Sequence, residues 1–290
     1  MADLPIPSTH PDYLVLKPLV NAILGAAGGW HSFALDIPQL IRRSIDEVID
    51  APRTNRFTIS EIEKTEKTYL GTKIEILLRA HLGFPKGALL DLSVHGTEVD
   101  IKNTTGTNWA IPTEAIDHPC MLIRENESTA RCSVGLFVAR EPYLNPGKNK
   151  DQKRGISASA ASNIWWLLRD HPYPPNFFET IPLQQRAAIM EAGSAKHRLA
   201  ELFIQVQGRP ISREIVQAIA QQPDYMKRLR KNGGARDLLA PMGTAILWGQ
   251  NDSLLIKALG LPPVGPDEFI SVTPSTPTDI ALLRKAGHIT

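Results

Sequence analysis

The chain has 290 residues, 42% of them hydrophobic and 21% charged, the balance of a globular protein with room for one large domain or two modest ones. A formal net charge of +2 gives no global pull toward nucleic acid, so any basic site has to come from local clustering. Cys120 and Cys132 form neither a CxxC pair nor a Cys/His cluster, which excludes a structural zinc site, and the longest apolar stretch is broken by Lys17, Pro18 and Gly25 well before it could cross a bilayer.

The N-terminus lacks the basic start and apolar run of a secretory signal, so an intracellular protein with reduced thiols and no membrane association is expected. Residues 13–27 read as a helix stopped by Gly28 and Gly29. A second helix is expected over 37–49, where Ile41, Ile45, Val48 and Ile49 recur at helical spacing, with Asp36 as its N-cap and Pro38 in its first turn. Ser60 and Glu63 have the form of a capping box, and the helix behind them runs to about Leu82, where Gly83 ends it. Residues 89–94 and 98–101 read as strands joined by His95, Gly96 and Thr97, and further strands are expected over 120–124 and 131–139. The first half is therefore mixed α/β.

Near residue 141 the composition shifts to turn formers, Pro142, Asn145, Pro146 and Gly147, followed by the basic run Lys148, Lys150, Lys153 and Arg154. A helix is expected over 158–168, after which His171 to Pro175 breaks regular structure. This reading places a first domain at 1–168, a linker at 169–182 and a second domain at 183–290. In the second domain short helices are expected over 196–206, 212–221 and 224–231, then a strand over 244–249 and a helix over 253–259. The tail beyond, with Pro263, Pro266, Pro274 and Pro277, is expected to be irregular. Neither G-x-S-x-G nor a phosphate-binding P-loop occurs, so serine-triad and nucleotide-coupled chemistry find no support.

The segment from Asp91 to Lys102 carries the most chemistry. Asp100 and Lys102 alternate with Val99 and Ile101, which puts both on one strand face, and a reversal at Gly96 brings Asp91 beside Asp100. Hard carboxylate oxygens suit Mg²⁺, and a lysine beside them can activate or orient water, or neutralise charge developing on a phosphate. Glu75, on the preceding helix, can complete or buttress the ligand set. Exposed strand faces carry charges routinely, so an Asp-x-Lys pattern by itself also fits a solvated strand. Glu98 belongs to the same alternation and reads better as a solvated strand residue than as a third acid, and His95 as a turn residue.

Further residues resolve that choice. Thr65-Glu66-Lys67-Thr68, then Gly71-Thr72, then Glu75 resemble a helix of the NaeI family of type II (type IIE) restriction endonucleases, and Asp91, Val99-Asp100 and Lys102 follow at that family's spacing. The resemblance resumes in Ala220 to Arg230 and in Gly233-Gly234-Ala235-Arg236, and so spans about residues 40–262. It implies a PD-(D/E)xK, restriction-endonuclease-like domain similar to that of the strand-nicking repair enzyme MutH, followed by a winged helix-turn-helix domain related to that of the catabolite activator protein. It also implies a prokaryotic, cytoplasmic homodimer that cuts double-stranded DNA at a palindrome and binds a second DNA copy in its C-terminal domain. By position, Glu75, Asp91, Asp100 and Lys102 match the family's catalytic residues, the three acids serving the metal. Ile101 stands where the named member has Cys, on the opposite strand face.

Lys227, Arg228, Arg230 and Lys231 fall in one short helical segment, and Arg236 lies just beyond it. On its own such a run is commonly a solvated helix face. The helix order and the resemblance make it a recognition helix, with arginines for base edges and lysines for phosphates. Asn103, Thr104, Thr105, Thr107 and Asn108 are either groove-facing or ordinary loop residues, and the run 148–154 is either a phosphate contact or a hydrophilic loop. Against a restriction endonuclease stand two alternatives, a MutH-like nicking enzyme and a DNA-binding regulator with an inactive nuclease domain. The four intact site positions argue against the second.

Overall fold

In the computed structural model, which describes residues 4–290, the chain opens with helices and reaches its first strand only after Leu82. Helices α1 (Tyr13–Ala26), α2 (Trp30–Ile49), α3 (Ala51–Thr54) and α4 (Lys64–Leu82) come in order. α2 begins earlier than its proline predicts, so Asp36 and Pro38 lie inside it. The reason is burial: Phe33, Ile37, Ile41 and Ile45 continue one apolar stripe back past the proline, and Trp30 Nε1 donates to Leu167 O at 2.9 Å. That stripe outweighs the single backbone hydrogen bond that proline removes. The α4 cap also differs from expectation. Glu63 and Glu66 form the reciprocal box, with Glu63 N donating to Glu66 Oε2 at 2.8 Å, while Ser60 lies in a 3₁₀ turn ahead of it. Gly83, at φ 70°, closes the helix as read.

Strands β1 (Leu92–Val94), β2 (Thr97–Thr104), β3 (Ala110–Ile111), β4 (Pro119–Asn126), β5 (Arg131–Val138), β6 (Leu144–Lys148), β7 (Arg154–Ile156) and β8 (Trp165–Pro172) follow. They build a five-stranded sheet in the order β1-β2-β4-β5-β8 and a small sheet β3-β7-β6. Only the β2–β4 pair in the large sheet is parallel. Residues 158–168 are not the predicted helix: a 3₁₀ turn covers Ala158–Asn163, and β8 then pairs antiparallel with β5. Trp165, Leu167 and Leu168 are buried there, and the ladder on β5 supplies backbone partners that a helix would have left unused. Gly135 of β5 permits the close approach, since a Cβ at that position would stand 2.6 Å from Ile164.

The chain divides into two compact units. The first runs through Val48 and then takes Ile59–Asn176; the second takes Ile49–Thr58 and Phe177–Thr290. The early segment crosses over because Phe57 packs against Phe178, ring centroids 4.4 Å apart, and Asn55 accepts from Gln221 Nε2 at 2.7 Å. Sequence separation hides such a crossing from any local reading.

The second unit contains α5 (Leu183–Glu191), α6 (Ala195–Gln205), β9 (Ile211–Ser212), α7 (Arg213–Ala220), α8 (Tyr225–Leu229), α9 (Ala235–Leu239), β10 (Ala245–Trp248), α10 (Gly249–Ala258), β11 (Glu268–Val272) and α11 (Pro277–Lys285). Its sheet has the order β10-β11-β9, antiparallel throughout. The tail is irregular at Pro263 but, contrary to expectation, goes on into β11 and α11. β11 is the central strand, with Phe269 and Ile270 buried, and Pro266, Pro274 and Pro277 flank these two elements. Thr276 caps α11 by accepting Asp279 N at 3.1 Å, and Pro277 takes the first helical position, where its missing N–H costs nothing. Among the described residues no helix is long and apolar enough to cross a membrane.

Candidate active site

The β1–β2 hairpin builds the site. His95 (φ 49°) and Gly96 (φ 84°) occupy the two turn positions with positive φ, the combination that suits the twist of a tight hairpin. The register pairs Leu92 with Val99, which sets Asp91 opposite Asp100. Asp91 Oδ2 accepts the N–H of Ile101 at 2.7 Å, so this carboxylate also fastens the strand that carries Asp100 and Lys102. Lys102 Nζ lies 2.9 Å from Asp100 Oδ1, 3.8 Å from Asp91 Oδ2 and 3.2 Å from the Ile101 carbonyl oxygen. The alternation read from the sequence therefore places these three side chains together.

Asp100 is only 3% exposed, and its Oδ2 is buried without a hydrogen-bond partner among the described residues. Burial drives the Asp100 carboxyl up to about 7 against the pull of Lys102, and Asp91 adds to the rise. Burial also works against the Lys102 charge, but Asp100 and then Asp91 overcome it and hold the ammonium above the usual lysine range. Glu75 enters from α4. Burial and the nearby Asp91 raise its carboxyl, with Arg79 and Lys102 opposing. Glu75 Oε1 accepts from Arg79 NH1 at 3.2 Å, and the same NH1 donates to the Asp91 carbonyl oxygen at 3.1 Å, so Arg79 links helix and hairpin.

The residues match the family model described as restriction endonuclease NaeI over residues 35–277. The chain is also 34% identical over 232 residues to the type II restriction enzyme NaeI of Lentzea aerocolonigenes, covering 77% of this chain and 73% of that protein. The chain belongs to the NaeI family of restriction endonucleases. Membership places it among the type II site-specific deoxyribonucleases.

Two residues brace this candidate site beyond those expected in it from the sequence. Arg79 is one; its signal is the i, i+4 step from Glu75 on one helix face. Glu98 is the other. Its carboxylate accepts the N–H groups of Ala88, Leu89 and Leu90 at 2.8, 3.1 and 2.8 Å and thus shapes the loop that leads into Asp91. Those bonds, Leu90 and Ala88 foremost, hold Glu98 below the usual carboxylate range. Gly87 is needed beside it, because a Cβ there would collide with the Glu98 carboxylate.

The polar residues after Lys102 divide by role. Asn108 is occupied by the fold, bonding Ile156 O at 2.8 Å and accepting Ile156 N at 3.1 Å, and Thr104 Oγ1 accepts Gly106 N at 3.1 Å. Thr105 and Thr107 are exposed. In the run 148–154, Arg154 is tied to Glu141 and to the Asn145 carbonyl, while Lys148 and Lys150 are exposed.

In the second unit the basic residues separate as well. Lys227 and Arg230 are exposed, Lys227 lying 3.7 Å from Asp224. Arg228 is half-buried and donates to Gln222 Oε1 at 2.9 Å, and Lys231 Nζ donates to the Gly287 carbonyl. Arg236 turns inward: its Nε is buried without a partner among the described residues, and burial holds it below the usual arginine range despite Asp252.

Proposed function

We propose that this chain hydrolyses double-stranded DNA at a palindromic sequence as a homodimer, with Asp91, Asp100 and Lys102 at the reacting phosphate and Glu75 behind them. The observation that carries the reading is the hairpin register that brings Lys102 within reach of both aspartates. Twofold symmetry of protein and site would let each protomer cut one strand.

The donor set fits Mg²⁺. It consists of carboxylate oxygens, and the partnerless buried Asp100 Oδ2 is an oxygen that a hard cation would satisfy. Among the described residues no three His, Cys, Asp or Glu side chains stand close enough to enclose an ion by themselves. Mg²⁺ keeps water and substrate oxygens and leans on one or two carboxylates, which here would be Asp100 and Asp91 with Glu75 beside them. When bound, the ion supplies Lewis acidity at the phosphate. The residues do the rest. The Lys102 ammonium, anchored by Asp100, opposes negative charge that develops on the phosphate and orients the attacking water. Asp91 holds Ile101, and with it the Asp100–Lys102 strand, in place.

The second unit supports a winged helix-turn-helix reading. A helix (α6), a short strand (β9), the helices α7 to α9 and then β10 and β11, with β11 central, follow that order, and residues 249–267 between the last two strands, α10 and the loop behind it, would stand in the place of the wing. Arg230 and Lys227, the latter 3.7 Å from Asp224, are its exposed cations for a DNA backbone, including that of a second DNA copy.

The experiment is plasmid cleavage with Mg²⁺ or EDTA at low salt, using wild type and Lys102→Ala. Discrete Mg²⁺-dependent double-strand fragments, absent with the variant, are expected. Open circles alone would move the assignment to a nicking enzyme, and binding without any cutting, on plasmids and on genomic DNA, would move it to a regulator.

A further inference from the structure

The catalytic strand runs on into a buried polar pair that the cleavage chemistry leaves unused. Asn103 follows Lys102 on β2 and, on the opposite strand face, donates its Nδ2–H to Glu125 Oε1 of β4 at 3.0 Å. Glu125 is 1% exposed. The other oxygen of each group, Asn103 Oδ1 and Glu125 Oε2, is buried and has no hydrogen-bond partner among the described residues. While Glu125 is ionised these oxygens are both acceptors and cannot satisfy one another. Flipping the amide only sets Asn103 Oδ1 against another carboxylate oxygen. One proton on the carboxyl supplies the missing donor, and it also removes the cost of burying a charge.

The groups around Glu125 do not neutralise a carboxylate. Cys132, directly across on β5, is a buried thiol pushed up to about 12 by burial and by Glu125 itself. His171, next in that row on β8, is held below the usual histidine range by burial, and its Nδ1 has no partner among the described residues. The Arg42 guanidinium on α2 is taken up by Asp46 and Glu127, and Glu127 also accepts the Tyr173 hydroxyl. Burial accordingly carries the Glu125 carboxyl up to about 8 against the bond from Asn103 and the pull of its own backbone N–H, and Glu127 adds to the rise. α4 packs on Asn103: a Cβ on Gly71, one turn before Glu75, would stand 3.8 Å from Asn103 Cβ.

We propose that Glu125 is held as the neutral acid, closes a two-bond ring with the Asn103 amide, and thereby acts as a positioning residue that fixes β2 at Lys102 against β4 and α4. The positioning role rests on the cleavage reading above; the ring does not.

The test uses the full-length protein as wild type, Glu125→Gln and Glu125→Ala. Glutamine reproduces both bonds and cannot ionise. A carboxyl raised in the folded state stabilises below its unfolded pKa and loses that contribution as pH climbs through the folded value. The melting temperature of Glu125→Gln in EDTA, relative to wild type, is therefore expected to rise between about pH 5 and about pH 8, on the order of 5 °C, and then level. Plasmid cleavage by Glu125→Ala is expected to slow about tenfold in kcat with KM little changed. Glu125→Gln restores the rate and keeps it above about pH 8, where wild type declines.

Parallel melting curves for wild type and Glu125→Gln would overturn the neutral acid. A folded Glu125→Gln as slow as Glu125→Ala would overturn the positioning role. If Glu125→Ala does not fold, the alkaline limb decides: a wild-type rate that falls no faster than that of Glu125→Gln overturns it. A melting gap that grows with pH in a protein that cuts no plasmid upholds the ring and removes the nuclease reading instead.

Discussion

Asp91 accepts the backbone N–H of Ile101, the residue between Asp100 and Lys102, at 2.7 Å. One carboxylate thus belongs to the site and also fastens the strand that carries the site's other two members. The two roles can be separated by substitution. Asp91→Asn keeps an oxygen for the Ile101 N–H but loses the negative charge. It is expected to melt within a few degrees of wild type and to cut on the order of 10²-fold more slowly. Asp91→Ala loses the acceptor as well, at a further cost of about 1–2 kcal/mol in stability. Thermal melts with cleavage rates check this, and an Asp91→Asn enzyme that cuts at the wild-type rate would falsify the catalytic half.

Lys102 is expected to matter for cutting and not for binding. Lys102→Ala should retain DNA affinity within about threefold in a gel-shift assay with Ca²⁺, while cleavage falls by about 10²–10³-fold, the usual cost of removing one donor aimed at developing charge. A parallel loss of affinity and rate would instead make Lys102 an ordinary phosphate contact.

As a proposed metal ligand, Asp100 would couple metal binding to pH. Its carboxyl is raised by burial to about 7, above its unfolded value, so it stabilises the metal-free fold at low pH and that contribution is lost as pH rises toward 7. A cation needs the ionised form and must displace the proton. The rise in melting temperature produced by Mg²⁺ is therefore expected to be larger at about pH 8 than at about pH 6. An Mg²⁺ effect that is equal at both, or larger at the lower pH, would exclude Asp100 as a ligand.

Glu98 gathers three backbone N–H groups of the loop before Asp91. Glu98→Ala should release them, with the amides of Ala88 and Leu90 exchanging faster with solvent, and cleavage should drop about tenfold because the loop no longer places Asp91. Unchanged exchange at those amides would show that the loop holds its shape without the carboxylate.

In the second unit, exposure sorts the arginines. Arg230→Ala is expected to weaken DNA binding and flatten its salt dependence by about 0.9 in log–log slope, one phosphate contact's worth. Arg236→Gln should lower the melting temperature of the protein and leave that slope unchanged, because its guanidinium is turned into the protein near Asp252. The reverse pattern would place Arg236 on the DNA.

Local backbone geometry let the residue order alone determine the core of the candidate site. A strand's period of two puts Asp100 and Lys102 on one face, a glycine that can take positive φ turns the hairpin, and Gly83 ends α4 with Glu75 on it. These rules act over a few residues, so they are readable without partners. The family motifs, spread across both halves of the chain, added the activity.

Other features were decided by contacts between distant segments. Residues 165–168 have apolar side chains that fit a helix or a strand equally, and the open edge of β5 made them β8. The stripe through Phe33 and Ile37 carried α2 past Pro38 because the core had a place for it. Phe57 crosses to Phe178, Arg236 turns inward, and Glu125 meets Asn103, each across a separation that no periodic pattern encodes. Burial and pairing are properties of the assembled chain: the same arginine or glutamate is a solvated charge or a buried group according to what packs on it, and only the tertiary structure says which.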